Sequence, residues 1–140
     1  MHRITIVTAA IFIGVLVLAG CARNWNDPAT SLPTKKIKIK ALLLAQIAND
    51  GAGVEVKGKV WDVSRETAVN EKGDEEVPFT VFKLADREGN AVGVFTLGHI
   101  EILDGDFAEV KGYYRREEKT KLHNFKNEIE AVTVKFSSKP

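Results

Sequence analysis

"VEVKGKVWDV" (Val54–Val63) is the stretch on which the fold turns. Apolar residues alternate with charged ones at period two, the spacing of a half-buried strand. Val54, Val56, Gly58 and Val60 share one face; Glu55, Lys57, Lys59 and Trp61 share the other. Gly58 sits mid-strand, where a missing side chain marks a bend or a close approach of another backbone.

Downstream the same pattern recurs between turn signals. "SRETAVNEKGDEEVP" (Ser64–Pro78) reads as a long loop and "FTVFKLAD" (Phe79–Asp86) as a second strand. "REGN" (Arg87–Asn90) is a tight turn with Gly89 at its left-handed position. "AVGVFTL" (Ala91–Leu97) is the third strand, "GHIEILDG" (Gly98–Gly105) a short turn or single helical turn. "DFAEVKGYYRR" (Asp106–Arg116) and "EIEAVTVKF" (Glu128–Phe136) are the fourth and fifth strands. Five short strands at this spacing indicate an all-β barrel or sandwich. Upstream, "KKIKIK" (Lys35–Lys40) alternates as an edge strand, its lysines deterring unwanted pairing. "ALLLAQIAND" (Ala41–Asp50) reads as a short helix, and "ARNWNDPATSLPT" (Ala22–Thr34) as a tether.

The order of these pieces resembles the OB-fold, a five-stranded Greek-key barrel. "VEVKGKV" opens its long first strand, and "FKLADREGN" matches strand two and its turn. "LDGDFAEVKGYY" matches the approach to strand four, and "IEAVTV" the closing strand. The resemblance implies a binding face flanked by the first-to-second and fourth-to-fifth strand loops, a face that takes oligonucleotides or oligosaccharides. Period-two sorting places Trp61, Phe79, Phe95 and Tyr113 on the outside of the barrel, a candidate aromatic strip. The plainer expectation is that Phe79 and Phe95 are core or lie beneath the Lys35–Asp50 segment, because large apolar side chains find burial. Arg115, Arg116, Lys119 and Lys121 make the fourth-to-fifth connection basic and complete the candidate binding face.

The amino terminus has a different character. Arg3, then the apolar run Ile4–Leu18, then Ala19-Gly20 form an export signal. "LAGC" (Leu18–Cys21) resembles the lipobox of bacterial lipoproteins. That resemblance implies cleavage before Cys21, acylation of its sulfur and amine, and a lipid anchor in the cell membrane or outer membrane. The domain would then face the periplasm or the outside of the cell. The division expected is signal peptide 1–20, lipidated Cys21 and tether 21–34, and OB-fold domain 35–140. Cys21 is the only cysteine, so no internal disulfide forms.

Without residues 1–20 the chain carries 19 basic and 19 acidic side chains, so overall charge favours no polyanion. The basic fourth-to-fifth connection faces an acidic first-to-second loop with Glu66, Glu71, Asp74, Glu75 and Glu76. Opposed loop charges suit a protein partner. The expected partners are therefore membrane lipid at Cys21 and an envelope protein, with nucleic acid unlikely. The periplasmic haem chaperone, also an OB-fold, pairs a His with a Tyr four residues on; here Asn127 follows His123, so no haem and no other cofactor is expected. No nucleophile, metal-ligand or phosphate-loop motif occurs, and no catalytic or metal residue is assigned. The expected role is a non-catalytic binding or adaptor module; the competing one is an oligonucleotide or glycan binder using the aromatic face.

Overall fold

The computed structural model describes residues 32–70 and 72–136. The expectations for the signal segment, for Cys21 and for the tether up to residue 31 fall outside those residues. The elements are β1 (Lys35–Lys36), α1 (Ile39–Leu44), α2 (Gln46–Asn49), β2 (Gly53–Val69), β3 (Glu76–Ala85), β4 (Ala91–Leu97), β5 (Phe107–Lys119) and β6 (Asn124–Phe136).

The strand order is β1-β2-β3-β4-β6-β5, and β2 also pairs with β5. Strands β2 to β6 therefore close on themselves. β4 and β6 pair in parallel, while the other pairs of the barrel are antiparallel. This is the Greek-key closure of the OB-fold, as expected. β2 serves both halves: Gly53–Lys59 pairs with β5 and Lys59–Val69 with β3. Gly58 stands at the handover. A Cβ there would lie 2.9 Å from the Ala85 carbonyl oxygen and 3.2 Å from Ile39 Cδ1. Only glycine lets both neighbours approach.

The barrel interior holds the residues that alternation placed inward: Val54, Val56, Val60, Phe82, Leu84, Val92, Val94, Ala108, Val110 and Tyr114 are all buried. Each aliphatic side chain there contributes about 1.5–3 kcal/mol by leaving water. Ile39 and Leu42, three apart on α1, are buried in the same cluster and plug one end of the barrel.

Several boundaries differ from expectation. "KKIKIK" is a strand only at Lys35–Lys36, which adds in parallel to β2 at Val54 and Glu55. Ile37 and the extended Lys38 belong to no strand, and the buried Ile39 opens α1. The expected helix over Ala41–Asp50 is two short helices broken at Ala45 (φ −129, ψ 46). Much of the expected loop Ser64–Pro78 is strand: β2 reaches Val69 and β3 starts at Glu76, leaving a turn between them. Asn70 organises that turn, its Nδ2 donating to Asp74 Oδ1 at 2.8 Å and its Oδ1 accepting from the Asp74 N–H at 3.2 Å. β5 and β6 likewise run on as a hairpin, with Glu117 opposite Lys126 and Lys119 opposite Asn124. Within the arms, Arg65–Thr67 and Glu117–Lys119 are exposed and polar on both sides. No apolar alternation marks them as strand.

Candidate functional site

The outer face of β3 and β4 is built from rows of residues in cross-strand register. One row runs Trp61, Lys83, Gly93, Glu128 and Arg115 across β2, β3, β4, β6 and β5. The next runs Ser64, Val81, Phe95, Glu130 and Tyr113. Between Trp61 and Ser64 the register of β2 shifts at a bulge, with Asp62 at φ 53. The bulge takes up the extra residue, so Trp61 and Ser64 both stay on the outside. It is tied down from the other side: the Val63 N–H donates to Asp104 Oδ1 at 3.0 Å, and the Val60 N–H to the Asp106 carbonyl at 2.7 Å.

A groove of about 420 Å³ lies on this face, bordered by Asp62, Val81, Lys83, Gly93, Lys126 and Glu128. Gly93 gives it room. A Cβ at Gly93 would meet Glu128 Cγ at 2.6 Å, so glycine is what lets the Glu128 side chain lie across β4. From there Glu128 Oε2 meets His123 Nε2 at 2.7 Å, with the two side chains 17% and 19% exposed. The His123 ring stacks on Phe95 at 4.9 Å and meets Phe125 edge-on at 4.9 Å. Phe79 lies 5.0 Å from Phe95. Phe79, Phe95 and Phe125 form a second small core, joined by Ala68 from one arm and Leu122 from the other.

Past Trp61 the surface opens into a second groove of about 890 Å³. Lys38, Lys40, Lys57, Lys59 and Arg87 border it, against Asp86 and Glu88. The Lys59 ammonium sits 4.7 Å from the centroid of the Trp61 ring. Such a contact is worth about 0.5–1 kcal/mol at an exposed position. Asp86 is engaged by its own turn: Oδ1 accepts from the N–H groups of Glu88 and Asn90, and Oδ2 from Asn90 Nδ2. Those bonds, with that of the Asn90 side chain foremost, hold its carboxyl below the usual range.

The proposed site residues separate accordingly. Trp61 is 43% exposed, between Lys59 and Lys83. Phe79 and Phe95 do face outward, but at 5% and 3% exposure they are sealed beneath the β5–β6 arm. They lie neither in the main core nor under the Lys35–Asp50 segment. Tyr113 is 36% exposed but pairs with Gly53, eight residues along β2 from Trp61. That is about 26 Å of strand, so the two open rings do not share a groove. Arg115 is held by Glu118 and Glu130, each at 3.1 Å. Arg116, Lys119 and Lys121 are exposed on the arm and line neither groove. Reasoning from the sequence missed Lys83, Gly93 and Glu128, which only strand register brings together, and did not pair His123 with Glu128. It also missed Lys38, Lys40 and Lys59 as one cationic set. Lys57 and Lys59, on the same strand face as the outward Trp61, were the available signal.

No protein-family model matches the chain, and no curated protein does. Among solved structures, the chain is similar to the second OB-fold domain of replication protein A from Methanococcus maripaludis. The TM-score is 0.54 at 18% identity, over 76% of this chain and 98% of that one. The likeness shows the fold: this chain carries an OB-fold module. It also corrects the expectation of an envelope protein partner with nucleic acid unlikely, since the same fold serves as a domain of a replication protein. That expectation weighed the two arms and overlooked the lysines on the strands and ahead of α1.

Proposed function

We propose that the module binds single-stranded oligonucleotide across the outer face of β3 and β4, with Trp61 as the stacking ring. The observation that carries this is the exposed indole set between Lys59 and Lys83, the latter meeting the exposed Asp62 carboxylate at 3.4 Å, in cross-strand register with the β3–β4 groove. Sequence-tolerant OB-folds use this combination: bases stack on aromatic rings and cations follow the phosphates. A ring alone would serve a glycan equally well; the flanking lysines favour a polyanion. The His123–Glu128 pair, packed against Phe95 and Phe125, supports a role in holding the arm in place, and we read the module as a binder rather than an enzyme.

The test is a fluorescence titration with single-stranded DNA and RNA of ~10 nucleotides, within the 4–16 expected for one OB-fold. Quenching that weakens as salt rises is expected, and Trp61→Phe should abolish it even though Trp25 remains in the chain. Unquenched wild type, or equal quenching in the variant, overturns the reading. The lipobox of Leu18–Cys21 is a separate proposal about address: Cys21→Ser should release the protein from membranes, and unchanged retention refutes it.

A further inference from the structure

The segment ahead of α1 is held beside β2 by specific contacts. β1 pairs with Val54 and Glu55, and the Ile37 N–H donates to the Glu55 carbonyl at 3.1 Å. Ile39 is buried at 2% and packs against Gly58. Its neighbours Lys38 and Lys40 are exposed and border the larger groove beside Lys57, Lys59 and Arg87. Of these cations, Lys40 meets Glu88 at 3.5 Å and Lys57 meets Glu109 at 3.6 Å. Lys38, Lys59 and Arg87 have no carboxylate partner among the described residues. The groove is thus positive, has an indole at one end, and adjoins the β3–β4 face because Trp61 is in register with Lys83.

We infer that this groove is a second subsite, which takes the phosphates of an oligonucleotide strand as it leaves the β3–β4 face and turns past Trp61. This rests on the function proposed above and extends it. The path from Lys57 along β2 to Trp61 covers about 13 Å, and from Trp61 across three strand spacings to Glu128 about 14 Å more. A short strand fills the face alone, whereas a longer one reaches the lysines. The module's cation track is then supplied partly by residues outside the five-stranded barrel.

The experiment compares single-stranded DNA of ~5 and ~12 nucleotides, both within the usual OB-fold range. The variant is Lys38→Gln/Lys40→Gln/Arg87→Gln, which leaves Trp61, Lys59 and Lys83 in place. Affinity for the short strand should stay within about twofold, while the long strand should lose about tenfold or more at low salt. The salt slope for the long strand should fall by about 2, as expected for three lost contacts to a single strand. Equal loss for both lengths, or loss for neither, overturns the second subsite and leaves the Trp61 reading standing if the short strand still binds. Failure of both strands to bind wild type overturns both. Variant-sensitive binding to vesicles of phosphatidylglycerol, with long-strand affinity unchanged, would assign the lysines to a lipid surface and overturn the inference. A thermal melt matching wild type confirms that the variant is folded.

Discussion

Trp61 and Phe95 both point out of the same barrel, one row apart, yet one is 43% exposed and the other 3%. Strand alternation decides the side of the sheet to which each ring belongs. Burial is decided by what lies above that side. Over Phe95 and Phe79 the two hairpin arms converge, bringing Ala68, Leu122, His123 and Phe125. Among the described residues no arm covers Trp61. One half of the face is therefore a sealed aromatic core, and the other an open cationic platform.

The sharpest way to break this contrast is Phe95→Ala. It removes the centre of the sealed half and should destabilise the fold by about 3–5 kcal/mol in urea denaturation, as ring deletions in cores do. A loss below about 1 kcal/mol would mean that the arms do not clasp this half. Trp61→Ala should do the reverse. Stability should change by no more than about 0.5 kcal/mol. Oligonucleotide affinity should fall about 5- to 150-fold, the equivalent of a stacking contact of about 1–3 kcal/mol.

A smaller effect is expected where β5 supports the arm. Tyr114 is fully buried, and its hydroxyl donates to Asn127 Oδ1 at 2.6 Å. Asn127 has φ 52 and lies next to Glu128 in the groove wall. Tyr114→Phe leaves that acceptor unpaired and should cost about 1–3 kcal/mol. Burial pushes the Tyr114 hydroxyl above the usual tyrosine range, and the nearby Asp50 carboxylate pushes it further. The protonated form is thus the one the fold favours. Its contribution is complete below the ordinary value of about 10 and drains away as pH rises through the higher folded value. Wild type should lose stability over that alkaline window, and Tyr114→Phe should lack this part of the loss. Parallel alkaline melts separate the two outcomes.

Gly93→Ala should cost less stability than Phe95→Ala. The added Cβ forces Glu128 aside, and because a flexible side chain gives way, the change should stay below about 1.5 kcal/mol. The His123 ring resonances should shift as the pair with Glu128 loosens. Unchanged resonances would show that the pair does not depend on the space at Gly93.

Much of the barrel was legible in the sequence. Val54, Val56 and Val60 went inward as their spacing required, and so did Phe82, Leu84, Val92, Val94, Ala108, Val110 and Tyr114. Gly58 marked the bend. The arms were not legible, because Arg65 to Thr67 and Glu117 to Lys119 are exposed and polar on both sides. Period two cannot be read where neither face is dry. The site was legible only in part. Trp61 was placed correctly, but Lys83 and Glu128 join it through pairing between strands distant in the chain.

By itself, the sequence determined strand count, order and inward faces, since these follow from local alternation and turn chemistry. Only the tertiary structure decided which outward rings stay open and how the lysines assemble. Register sets which residues lie side by side, and the arms set which of them water can reach; both depend on contacts between segments far apart in the chain.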